Sequence, residues 1–300
     1  MKGLYQVKSD REMMARAIVA GIDTLLIPFY DIPGRPPSGL DTWEENVNTC
    51  LTFRDRAHII AVPVMFPHWC GYPSEQRFVY RDEELPRHFC PTNSAAYESF
   101  MIPFRGLIAQ GIIHEVILDV EHYSGHPKFF SQRIACECSN KISDIHTCAS
   151  LGQEGQWKHR KAMMAGDTFI TGQLAIDSKW SVETLHQKRV LAEGTYPKTG
   201  LGMKLQLAST KHFNSIDTIV PGAFIECFAS TDDFIEYLGY LKSNCPYDGY
   251  WIYSQMALTR NCTMSPDEQV NLARSYGHYD NRRIDERDPA FFQKLKGLNG

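Results

Sequence analysis

Val116-Ile117-Leu118-Asp119-Val120-Glu121 is the stretch on which the fold reading turns. Its first half is apolar at every position, as expected of a strand covered on both faces. It then closes on a carboxylate, which is costly at the end of a buried strand unless it meets a polar cavity or a partner. Gly222-Ala223-Phe224-Ile225-Glu226 repeats the pattern. Working outward from these two, short runs rich in branched and aromatic residues recur at 3–7, 24–30, 58–66, 115–121, 168–176, 202–208, 222–228 and 249–254. Helical patterns separate them. Eight such runs are the strand count of a single (β/α)8 TIM barrel, an α/β fold of about 250 residues or more. No linker, repeat or low-complexity tract divides the chain, so residues 1–300 read as one domain.

Helix starts punctuate the same plan. Ser9-Asp10-Arg11-Glu12 and Thr42-Trp43-Glu44-Glu45 fit the capping box, in which a hydroxyl and a glutamate satisfy orphan amides reciprocally. Thr231-Asp232-Asp233 places acids where a helix N-terminus favours them. Ser265-Pro266-Asp267-Glu268 adds proline at the first helical position. Two connections are long, 69–92 after the third run and 122–145 after the fourth. Both leave C-terminal strand ends, the face where such barrels hold their chemistry.

Composition narrows the function classes. The chain is 43% hydrophobic and 22% charged with a net charge of −4, and it has no basic stripe. Nucleic acid and anionic membranes are therefore not expected as partners. Every apolar stretch falls short of the roughly 18 residues a membrane span needs. The chain passes from Met1 directly into its first strand without a signal-peptide pattern. A cytoplasmic protein and a secreted one with a trimmed leader both fit, and the oligomeric state is open. Nine cysteines are present, with Cys136, Cys138 and Cys148 crowding one segment near His146. A zinc site is the sharp reading, but no C-x-x-C pair with a second pair at suitable spacing exists, so free thiols or one loop disulfide are expected, with no metal and no cofactor.

The strand ends supply a candidate site. Glu121 and Glu226 would stand together at the C-terminal rim, and Asp119 shares a strand face with Glu121. Two acids this close cannot both ionise cheaply, so one is expected to be raised toward the range of a general acid. Paired carboxylates at such a rim point to glycosidic bond cleavage. Tyr5, Tyr30, His68, Trp69, His122, Tyr123, Asp177, Tyr253 and Gln255 read as substrate contacts. Lys204, a possible Schiff-base lysine, lies near the start of its run and so reads as belonging to the opposite, stabilising face. Cys227 alternates with Glu226 and reads as core.

Asp119-Val120-Glu121-His122-Tyr123 resembles the end of the D-x-E signature of chitinase-like glycoside hydrolases. That resemblance implies that Glu121 is the acid and Asp119 orients it. The upstream acidic positions of the full signature are absent, since Ile113, Glu115 and Ile117 precede the pair. An acid on the fourth strand and a glutamate on the seventh are similar to the large superfamily of retaining barrel glycosidases. Those enzymes carry asparagine before the acid, where this chain has Val120. Tyr247-Asp248-Gly249-Tyr250-Trp251-Ile252-Tyr253 resembles the last strand of many barrel glycosidases. The expectation is a glycoside hydrolase acting on an oligo- or polysaccharide, with retention of configuration. Two alternatives stay open: a substrate-assisted hydrolase using Asp119 and Glu121 with a tyrosine such as Tyr253, and an inert carbohydrate-binding barrel.

Overall fold

The computed structural model describes residues 1–31, 33, 40–63, 74–118, 135–173, 203–208, 218–225, 228, 230–244, 249–254, 258 and 282–300. Its strands are β1 (Lys2–Gln6), β2 (Thr24–Phe29), β3 (His58–Pro63), β4 (Arg77–Tyr80), β5 (Glu83–Phe89) and β6 (Glu115–Leu118). They continue with β7 (Ile170–Gln173), β8 (Met203–Ala208), β9 (Thr218–Phe224) and β10 (Tyr250–Ser254). Eight of them pair in a ring, β1-β10-β9-β8-β7-β6-β3-β2, which closes because β1 also pairs with β2. Each expected apolar run overlaps one of these eight strands.

The sheet is mixed rather than all parallel. β8 runs antiparallel to both neighbours, with Gly172 opposite Ala208 and Met203 opposite Ala223. The regular (β/α)8 expectation is corrected at this point. β9 begins at Thr218, so only residues 209–217 join the two strands. A parallel crossover needs a dozen or more residues, whereas an antiparallel return needs far fewer. Lys204 moves with this reversal. It pairs with Gly222, two positions before the end of β9, so the start of β8 lies toward the end of the ring where its antiparallel neighbours β7 and β9 finish. Its assignment to the stabilising face rested on strand direction and no longer holds.

Alternation along the strands builds two apolar layers. Tyr5, Leu26, Ile60, Val62, Ile117 and Trp251 pack together inside the ring. Their sequence neighbours Leu4, Leu25, Ile27, Ile59, Ala61, Val116 and Ile252 face the surrounding helices. Full burial of side chains this size stabilises by about 1.5–3 kcal/mol each. The helical layer contains α1 (Arg11–Val19), α2 (Trp43–Phe53), α3 (Ser94–Ala109), α4 (Cys148–Met164), α5 (Thr231–Asn244), α6 (Ile284–Arg287) and α7 (Phe291–Asn299). Phe29 of β2, Trp43 of α2 and Phe104 of α3 form a triple of aromatic rings with centroids 5.0–5.4 Å apart. No described helix is long and apolar enough to cross a membrane.

The caps show how these helices start. Thr42 and Glu45 form the full capping box, with Glu45 N donating to Thr42 Oγ1 at 3.2 Å and Thr42 N to Glu45 Oε2 at 2.8 Å. At α1 the cap is Asp10 rather than Ser9, since Asp10 Oδ1 accepts from Met13 N at 3.1 Å. Ser9 instead donates its backbone N–H to Asp41. Residues 265–268 lie outside the described residues. The expected loop 69–92 contains structure of its own, the β4–β5 hairpin. Its two turn residues, Arg81 and Asp82, have φ of 50° and 62°, the left-handed pair that a two-residue hairpin requires.

Candidate active site

β1, β2 and β10 are parallel neighbours, so their last residues stand at one end of the ring. Tyr5 and Tyr253 are register partners there, with rings stacked 5.0 Å apart at an angle of 12°. Trp251 meets both edge-on at 5.8 Å. The Tyr5 hydroxyl lies 3.4 Å from that of Tyr30, which follows β2. Three of the expected sugar contacts are thus brought into one aromatic, hydroxyl-bearing group. Its apolar base is the inner layer of Leu26, Ile60, Val62 and Ile117.

Polar residues behind this group fix the strand ends. Buried Gln6 accepts from Asp10 N at 3.0 Å and donates to the Leu258 carbonyl. Leu258 N in turn donates to Ser254 Oγ at 2.9 Å. Asn46 of α2 donates to Pro28 O at 2.9 Å, holding the end of β2. Asp41 accepts from Ser9 N at 2.6 Å, and burial pushes its carboxyl above the ordinary value despite that bond. These bonds fix the strand ends that carry Tyr5, Tyr30 and Tyr253.

Asp119, Glu121, His122 and Tyr123 lie outside the described residues, as do His68, Trp69, Asp177, Glu226, Cys227 and Gln255. The described strands lead toward the acids. Ile117 packs inside the ring two positions before Asp119. Phe224, two positions before Glu226, is the register partner of Tyr253.

The second chemically distinctive cluster is one the sequence reading found in part, missing Cys90. The Sγ atoms of Cys90, Cys136, Cys138 and Cys148 all lie within 4.8 Å of one another, and all four residues are buried. Of the two readings, free thiols hold and the loop disulfide does not, and a fourth thiol joins the three. Cys90 follows β5, far upstream, and the hairpin fold delivers it. Cys90 Sγ is 3.4 Å from both Cys138 Sγ and Cys148 Sγ, and none of the four is in a disulfide. Hydrogen bonds from Cys136, Cys138 and Cys148 hold the Cys90 thiol well below its ordinary value, while contacts with Cys136, Cys138 and Cys90 push Cys148 up. No spacing rule links Cys90 to the C-x-C pair, so only a guess at the hairpin could have found it.

No family model matches the chain, and no curated protein matches it. Among solved structures, the chain is similar to the noncanonic maltogenic alpha-amylase AmyB of Thermotoga neapolitana. The TM-score is 0.46 at 8% identity, covering 99% of this chain and 75% of that one.

Proposed function

We propose that the chain is a glycoside hydrolase acting on an oligo- or polysaccharide at the end of the ring that carries Tyr5, Tyr30 and Tyr253. The observation that supports this most is that tyrosine group. Tyr30 and Tyr253, both partly exposed, can offer ring and hydroxyl to a sugar, while buried Tyr5 backs the Tyr253 ring from the core and lies beside the Tyr30 hydroxyl. The sequence assigns Asp119, Glu121 and Glu226 to the strands that finish at this same end. A strand continued past Leu118 with ordinary alternation would carry the inward face of Ile117 to Asp119 and Glu121.

In this reading Glu121 protonates the leaving glycosidic oxygen and Asp119 keeps its pKa high by charge repulsion. Glu226 attacks the anomeric carbon, forming a glycosyl ester that water then cleaves with Glu121 acting as base. His68, Trp69, His122, Tyr123, Asp177 and Gln255 complete the sugar contacts. A second reading is favoured by Tyr253 itself. Its place in the aromatic group suits a tyrosine that steadies an attacking acetamido oxygen of the substrate, in which case Glu226 is dispensable.

Reducing-sugar release over a broad panel of α- and β-linked glycans tests the proposal. Turnover of at least one glycan, lost in Glu226→Gln, is the expected result. Hydrolysis that survives in Glu226→Gln selects the substrate-assisted route. Saturable glycan binding with no product from any member of the panel would overturn hydrolysis in favour of an inert binding barrel.

A further inference from the structure

We propose that Cys90, Cys136, Cys138 and Cys148 bind one zinc ion as four thiolates, forming a closed structural site that clasps the two long segments following β3 and β6. The sulfur spacing suits four-coordinate thiolate binding. Zn–S bonds of about 2.3 Å place sulfurs about 3.8 Å apart along each tetrahedral edge. The two resolved Sγ separations of 3.4 Å and the 4.8 Å limit on all of them bracket that edge. A disulfide would need sulfurs about 2.05 Å apart. Four protein ligands leave no position for water or substrate, which marks a structural rather than a catalytic metal.

The surroundings are built for thiolates. Val79 N donates to Cys136 Sγ at 3.3 Å, and the Thr92 hydroxyl lies 3.2 Å from Cys90 Sγ. Such outer contacts orient ligands and spread their charge. Gln156, itself buried, grips the ligand backbone at three points. Its Oε1 accepts from Cys136 N at 2.8 Å, and its Nε2 donates to the carbonyls of Cys136 and Cys148 at 2.7 and 2.9 Å. Phe78, with Val79, Tyr80, Leu85 and Ile142 partly buried against it, closes the cluster from water. Gly152 breaks α4 just beyond Cys148, with φ of 60° and ψ of −179°, so the turn bearing Cys148 is free of the main helix direction.

Position in the chain gives the site its role. Cys90 closes the segment that leaves β3, and Cys136 and Cys138 close the segment that leaves β6. Glu137 N pairs with Val79 O at 2.8 Å between them. Zinc would replace four S–H protons, released to water, with four bonds joining these segments to the start of α4.

Metal analysis of the full chain, purified from zinc-supplemented cells without chelator, is the test. The expected result is about one zinc per chain, released when all four thiols are titrated with a mercurial. Replacement by Co²⁺ should give the intense thiolate-to-cobalt charge-transfer band of tetrahedral sulfur coordination, a readout that requires no variant to fold. Cys138→Ser and Cys148→Ser should each lose most of the metal, while Cys50→Ala, at a buried thiol pushed up to about 12 on α2, should retain it. Stoichiometric disulfides among the four, or four reduced thiols with no bound metal and no cobalt band, would overturn the site. Iron bound in place of zinc would overturn the assignment of the metal.

Discussion

Asp167 shows how much a single residue carries in this protein. It is 5% exposed in the turn before β7, where it accepts from the Tyr97 hydroxyl at 2.7 Å and from two nitrogens of Arg105. Arg105 also bonds Glu98, so one fork ties α3 to the turn. Burial and the Asp167 contact push the Tyr97 hydroxyl above its ordinary value, and the two carboxylates raise Arg105. Removing Asp167 leaves the buried Tyr97 hydroxyl without that acceptor and takes one of two carboxylates from Arg105; breaking a fully desolvated pair costs about 3–5 kcal/mol. Arg105 is about one-third exposed, which places this pair at the low end. Asp167→Ala should therefore lower unfolding stability by about 3 kcal/mol. Chemical denaturation measures it, and a change under about 1 kcal/mol would show that water replaces the aspartate without penalty.

At the scale of elements, the seam between β1 and β10 is the place where the ring closes. Tyr250 N donates to Met1 O at 3.0 Å there, and Gly249 approaches so closely that an added Cβ would sit 1.9 Å from that oxygen. Its φ of 140° is itself a conformation that side chains disfavour, at about 1–3 kcal/mol. Gly249→Ala combines strain with a backbone clash and should cost at least about 2 kcal/mol, read as a lowered denaturation midpoint. An unshifted midpoint would mean that the seam relaxes freely. The eight strands were legible in the sequence because being covered on both faces leaves near-continuous apolar runs, as in Leu25-Leu26-Ile27 and Ile59-Ile60-Ala61-Val62. The direction of β8 was not legible. An apolar run reads the same in either direction, and the start of β9 at Thr218 precedes the run recognised from Gly222 onward. The β4–β5 hairpin was also hidden, since Arg81-Asp82 occupies a turn whose usual signal is Asn-Gly.

At the scale of the molecule, one end of the ring gathers what the sequence dispersed. Tyr5, Tyr30 and Tyr253 were recognisable as strand-end residues, and parallel register alone brings them together. The four-cysteine cluster was legible only in part, because Cys90 reaches it through a hairpin with no sequence mark. It joins the far ends of the two segments whose beginnings carry His68, Trp69, Glu121, His122 and Tyr123. The proposed chemistry rests on Glu121 as proton donor. Its amide isostere, Glu121→Gln, keeps shape and hydrogen bonding but has no proton to give, and general acid catalysis contributes about 10²–10⁴-fold. The decisive measurement is kcat/KM of Glu121→Gln and the wild type on the same unactivated glycan, with circular dichroism showing that the variant is folded. A loss of about 10²–10⁴-fold is expected, smaller for an aryl glycoside whose leaving group needs less protonation; wild-type turnover of the unactivated glycan by the folded variant would contradict the assignment.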